Sequence, residues 1–134
     1  LLEALLQKRF EGRVVALHVR TDLVQWGTAQ VARTPADEPI VAAVAAVEMQ
    51  NGVVEQARIA LTGVWSTPVQ LASSARQLIG GPLEQERIQA VAEAVVQEVT
   101  PRGDFRGSTE YRRAMAGVTS RRALEQCAQQ GRGR

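Results

Sequence analysis

The chain contains a single cysteine, Cys127, so no disulfide can form within it. That fits a reducing compartment, and a cytoplasmic location is expected. Aromatic residues make up only 4% of the sequence, too few for a base-stacking platform. The formal net charge is only +2, well short of the basic excess of a nucleic-acid binder, so no nucleic-acid partner is expected. There is one lysine against fifteen arginines. No apolar run reaches the roughly 18 residues that span a bilayer, so no membrane partner is expected. The first ten residues, Leu1 to Phe10, are too charged and too short for a signal peptide. The sequence does not begin with Met, which predicts a piece of a longer protein.

What is present is a chain of 134 residues, 45% of them hydrophobic. That is enough for one domain with a core that needs no staple. The core is expected over about residues 12–130, with 131–134 as a loose tail. It must be built from Ala, Val, Leu and Ile.

The pattern places the elements. Apolar residues at 1, 2, 5 and 6 predict a helix over Leu1 to Phe10, and Arg13 to Arg20 reads as a strand. Residues 21–28 carry no clear period. Pro35 and Pro39 make 33–39 a loop. Asn51-Gly52 then separates two β-rich runs, Ile40 to Met49 and Val53 to Thr62, which predicts a tight hairpin. Val53, Ala57, Ile59 and Leu61 are the expected buried side of the second strand. Gln56, Arg58 and Thr62 are its other side. The first strand is apolar on both faces, as in a central strand.

Three helices follow. Thr67-Pro68-Val69-Gln70 has the form of a helix start, and Gly80-Gly81-Pro82 the form of a stop, so a helix is expected up to about Ile79. The next runs from about Leu83 to Val99, with Ile88, Val91, Ala92, Val95 and Val99 inward. The last starts at Ser108 as N-cap and runs to about Gln129, with Tyr111, Met115, Val118 and Leu124 inward. Strands followed by helices predict an α+β fold: an antiparallel sheet of three to four strands packed against three helices on one side.

Little of this looks catalytic. His18 is the only histidine, and in an apolar strand it reads as a structural residue. No spacing suits a metal. Ser108, His18 and Asp104 make a triad only on paper. Gly80-Gly81 follows a helix rather than a strand, so it reads as a helix end and not as a phosphate loop. Cys127 has no histidine beside it and reads as a packed thiol. The dense motif is Asp104-Phe105-Arg106-Gly107-Ser108-Thr109-Glu110-Tyr111-Arg112-Arg113. Asp104, Arg106, Ser108, Tyr111, Arg112 and Arg113 are its candidate residues, with two readings open. Asp104 can bond backbone N–H groups before the helix while the arginines face solvent. Alternatively, Arg112 and Arg113 meet carboxylates of a partner.

Three segments resemble the C-terminal domain of the FAD-binding (medium) subunit of molybdenum hydroxylases, the carbon monoxide dehydrogenase and xanthine dehydrogenase relatives. They are Ala57 to Val64 followed by Thr67-Pro68, then Gly80-Gly81-Pro82-Leu83, then Asp104 to Arg113. The resemblance spans roughly Pro35 to Leu124. It implies an oxidoreductase in which electrons pass from a molybdenum centre through iron–sulfur clusters to FAD. It implies partners as well: the N-terminal FAD-binding subdomains of the same subunit, and the molybdenum and iron–sulfur subunits. The glycine-rich segments that cradle FAD belong to those N-terminal subdomains. This chain carries none, so it is expected to bind no cofactor alone and to hold no catalytic site. Related chains place a lysine in the strand before the Arg33 loop, near the flavin. Trp26 to Arg33 has none here. The competing reading is a free-standing protein–protein interaction module, homodimeric in form.

Overall fold

The computed structural model describes residues 15–16 and 24–132. The helix expected over Leu1 to Phe10, the strand over Arg13 to Arg20, and His18 lie outside the described residues. Four strands form one antiparallel sheet in sequence order: β1 (Val24–Val31), β2 (Val41–Gln50), β3 (Val53–Thr62) and β4 (Val69–Leu71). A 3-10 helix (Ser73–Leu78) and two α-helices, α1 (Gln85–Glu98) and α2 (Thr109–Arg132), complete the described part. This is the expected α+β architecture, with its helices on one face of the sheet.

The β2–β3 hairpin turns where the sequence places it. Asn51 and Gly52 have φ of 52° and 78°, the two left-handed residues of a type I′ turn. The buried side of β3 differs from the expected one at the tip. Val54 is buried and Val53 is exposed. The pairing passes from Glu48↔Gln56 to Met49↔Val54, so Glu55 is an extra, unpaired residue. One extra residue reverses which face the strand end presents. Beyond it, Ala57, Ile59 and Leu61 are buried as expected.

The helix expected from Thr67 is replaced in its first half by β4. The outer edge of β3 needs partners for its N–H and C=O groups, and β4 supplies them by pairing Leu71 with Ala60 and Val69 with Thr62. Tertiary pairing overrides the local helix signal. Thr67 and Gln70 do meet, with Oγ1 donating to Gln70 Oε1 at 3.4 Å, but no backbone cap follows. Helical structure begins only at Ser73, where Glu98 from α1 supplies the cap. Its carboxylate accepts from the Ser73 N–H at 2.7 Å and the Ser74 N–H at 2.9 Å. It also accepts from both serine hydroxyls. The glycine pair after this helix joins the sheet: Gly80 N–H donates to Val54 O and Val54 N–H donates to Gly81 O, each at 2.9 Å.

The inward residues of α1 are the expected ones, with Ile88, Val91, Ala92, Val95 and the following Val99 all buried. Ser108 caps α2, its Oγ accepting from the Tyr111 N–H at 3.1 Å. The helix continues through Arg132, beyond the expected end. Of its expected inward residues Leu124 is fully buried and Met115 packs against the core, while the rest of the inner face differs. Tyr111 is exposed and Met115 and Val118 are half-buried. The buried side consists of Arg112, Ala116, Gly117, Thr119, Ser120, Ala123, Leu124 and Cys127. Small residues let the helix lie close to the Ala-rich strands. The core between them contains no aromatic ring among its fully buried side chains.

Candidate functional site

The motif residues gather where the chain enters α2. Asp104 and Gly107 close a two-residue turn: Asp104 N–H donates to Gly107 O at 3.0 Å, and Gly107 N–H donates to Asp104 O at 3.2 Å. Asp104 Oδ1 accepts from the N–H groups of Arg106 and Gly107 at 2.9 and 3.1 Å. This is the local Asx bonding that makes aspartate a turn residue. The same oxygen accepts from Arg112 Nη2 at 2.7 Å.

Arg112 is only 5% exposed. Its Nη1 donates to Ile40 O and Gly63 O, both at 2.9 Å, and its Nε donates to Gly107 O at 3.4 Å. Ile40 precedes β2 and Gly63 follows β3. One guanidinium therefore ties the turn, the start of α2 and two adjacent strand ends together. A planar fork with five donors suits that task, and an ammonium does not. Gly63 has a φ of 78°, and any Cβ there would collide with the Ile40 carbonyl.

The other candidates are placed differently. Arg106 is half-exposed and pairs through Nη1 with Glu38 Oε2 at 3.2 Å. Its guanidinium carbon lies 5.8 Å from the Phe105 ring centroid. Ser108 and Tyr111 serve as the cap pair of α2, and Arg113 is exposed. The partner-facing reading of Arg112 is corrected by its burial: the guanidinium is spent on internal bonds.

The electrostatics follow the geometry. The Arg112 hydrogen bond is the main cause that holds the Asp104 carboxyl down at about 2; partial burial opposes it, and the Arg106 and Gly107 N–H groups assist. Burial pushes the Glu98 carboxyl up, but the Ser74 and Ser73 hydrogen bonds outweigh it and leave the group below its usual range. Burial pushes the Cys127 thiol up to about 12; its Sγ donates toward Ala45 O at 3.7 Å. A thiol in that state is not a nucleophile. Ser108 caps α2 and Asp104 pairs with Arg112, and His18 lies outside the described residues. Among the described residues no group of His, Cys, Asp and Glu is spaced to hold a metal. No described helix is long and apolar enough to cross a membrane.

Two arrangements carried no clear sequence signal. One is the Glu98 cap of the 3-10 helix. The other lies along the outer edge of β1. Gln126 Oε1 accepts from the Thr28 N–H at 3.0 Å, and its Nε2 donates to Thr28 O at 2.9 Å. Gln130 makes the same pair with Trp26, at 3.1 and 2.8 Å. The i,i+4 spacing of the two glutamines was the available hint.

The fold and the braced turn define an α+β domain whose conspicuous polar cluster ties a turn, a helix start and two strand ends together. Residues 28–127 match the family described as CO dehydrogenase flavoprotein C-terminal domain, and the chain belongs to that family. It is 37% identical over 92 residues to the carbon monoxide dehydrogenase medium chain of Afipia carboxidovorans, covering 66% of this chain and 31% of that one. It is 30% identical over 99 residues to the carbon monoxide dehydrogenase medium chain of Hydrogenophaga pseudoflava, covering 74% and 34%. The solved carbon monoxide dehydrogenase of Hydrogenophaga pseudoflava, in a form lacking the Mo-pyranopterin moiety, superposes with a TM-score of 0.74 at 29% identity, over 81% of this chain and 38% of that one. The chain spans about a third of the length of the curated relatives it matches.

Proposed function

We propose that the chain acts as the non-catalytic C-terminal domain of an FAD-binding subunit in a molybdo-flavoenzyme. In that oxidoreductase, electrons reach FAD from a molybdenum centre through iron–sulfur clusters. The domain packs against the flavin-holding part of its own subunit and against the molybdenum and iron–sulfur subunits. Its single, inert thiol suits the reducing cytoplasm.

The described residues do not fit the FAD pyrophosphate, which needs open N–H groups at a helix start. At two of the three described helix starts the chain's own oxygen atoms take the N–H groups. Glu98 fills that of the 3-10 helix. At the start of α1 no side chain caps the N–H groups, but Glu84 and Glu86 place negative charge there, which disfavours a phosphate. Ser108 caps α2, with Glu110 in its first turn. FAD is therefore assigned to the rest of the subunit, and this domain contributes packing.

The observation that carries this reading is the family match over residues 28–127. The test is to purify the polypeptide that bears this domain with whatever assembles on it, then measure flavin absorbance and molybdenum and iron content across a gel-filtration peak. Flavin and both metals should co-elute with it. A homodimer without flavin or metal would support a free-standing interaction module instead.

A further inference from the structure

We propose that the sheet face opposite the helices is the docking surface for the preceding, flavin-holding part of the same subunit. This deepens the reading above and rests on it. The register aligns Thr28, Val44, Ala60 and Leu71 across all four strands, and Trp26, Ala46 and Arg58 in the next row. Trp26 and Val44 are each 50% exposed and Leu71 is 36% exposed. Ala42, Ala46 and Ala60 lie half-buried between them. A sheet with one solvated face alternates apolar inward and polar outward. β2 breaks that rule, since Ala42, Val44 and Ala46 all point away from the helices. Around them stand Gln30, Gln56, Arg58 and Thr62. An apolar centre with a polar rim is the anatomy of an interface.

Two observations select the occupant. The matched family is a C-terminal domain, and the relatives are about three times as long as the matched part. In such a subunit the remainder precedes this domain in sequence, and β1, the first described strand, carries Trp26 into this face. The outer edge of β1 is also closed. The amides of Gln126 and Gln130 take the N–H and C=O groups of Thr28 and Trp26 that a fifth strand would need. A preceding domain therefore cannot add a strand beside Trp26 and Thr28 on that edge, and the apolar face next to them is the surface left for it to cover. The alanines there keep the surface flat, so the occupant supplies the large apolar side chains.

The native Cys127 is buried and its thiol stays protonated, so labelling of the 134-residue chain reports the introduced cysteine, and in the full subunit the modified peptide is followed by mass spectrometry. Val44→Cys on the bare face and Glu93→Cys on the exposed side of α1 are each reacted with a maleimide, in the 134-residue chain and in the full subunit. Both should label rapidly in the chain alone. In the full subunit Val44→Cys should slow by at least about tenfold while Glu93→Cys keeps its rate. Equal rates for Val44→Cys in both would overturn the proposal. So would slow labelling in the chain alone: independent of concentration, it means that the chain's own residues cover the face; dependent on concentration, that a second copy does. Flavin absorbance of the same full-subunit sample separates the two claims. A flavin-bearing subunit with an open Val44→Cys sinks only the docking surface, whereas a subunit without flavin sinks the functional reading beneath it.

Discussion

Arg112 Nη2 donates to Asp104 Oδ1 at 2.7 Å, and the remaining donors of that buried guanidinium hold three backbone carbonyls. The pair makes the most specific stretch of the sequence a brace. Removing the cation leaves a carboxylate without its counter-charge and carbonyls without donors. Arg112→Met should therefore destabilise the domain by about 1–3 kcal/mol, the cost of leaving buried backbone acceptors unpaired, and Arg112→Lys should recover little of it, because one ammonium cannot reach all four acceptors. Arg113→Met, on the exposed side of the same turn, should stay within about 0.5 kcal/mol. Urea denaturation of the three variants checks the contrast.

Acid should weaken the same pair. The Asp104 pKa is about 2 in the folded chain, against an ordinary value of 3.8. A group with a depressed folded pKa stabilises the fold above its unfolded pKa, and that contribution is lost as pH falls through the folded value. Stability should thus decline between about pH 4 and pH 2, and Asp104→Asn should flatten part of that decline. The Glu98 carboxyl, also held low, adds to the same limb. Denaturation midpoints across this window for Asp104→Asn and the parent chain give the comparison; superimposable slopes would contradict the ion pair.

Two glycines with the same φ of 78° should respond differently to alanine. Gly52 has open space around the position of a Cβ, so Gly52→Ala should cost only the left-handed backbone penalty of about 1–2 kcal/mol. At Gly63 a Cβ meets the Ile40 carbonyl and crowds Arg112 Nη1. Gly63→Ala should cost about 2–5 kcal/mol. Thermal unfolding of both variants tests the order.

How far these features could be read beforehand depended on whether their cause was local. Asn51-Gly52 was legible because a two-residue turn selects residues that accept positive φ. The inner face of α1 was legible because its large apolar residues repeat at helical spacing. Ser108 was legible as a cap for the same local reason. The burial of Arg112 was not, since its partners are main-chain carbonyls of Ile40 and Gly63, which leave no trace in side-chain pattern. β4 was hidden because the need for it lies on the edge of β3, while Thr67-Pro68 and Gln70 locally mimic a helix start. The reversal at Val53 and Val54 came from one unpaired residue, Glu55. The inner face of α2 was legible at Leu124 and not at Tyr111, because most of that face is small residues, whose burial leaves no strong hydrophobic period.

The glutamine pair on β1 should matter for solubility as well as for stability. Gln126→Ala with Gln130→Ala removes four hydrogen bonds from an edge that then offers unpaired backbone groups. The double variant should lose about 1–2 kcal/mol, since exposed neutral hydrogen bonds are each worth little in net terms. It should also self-associate with rising concentration in sedimentation runs where the parent chain does not.

The central claim, that this domain packs within a flavin subunit without holding the flavin, is tested most directly by partitioning FAD between the two forms. FAD is titrated calorimetrically into the 134-residue chain and, after removal of bound flavin, into the full subunit. The chain alone should give no binding at micromolar FAD, while the full subunit should take up one FAD tightly. Tight, saturable binding of FAD by the chain alone would contradict the account.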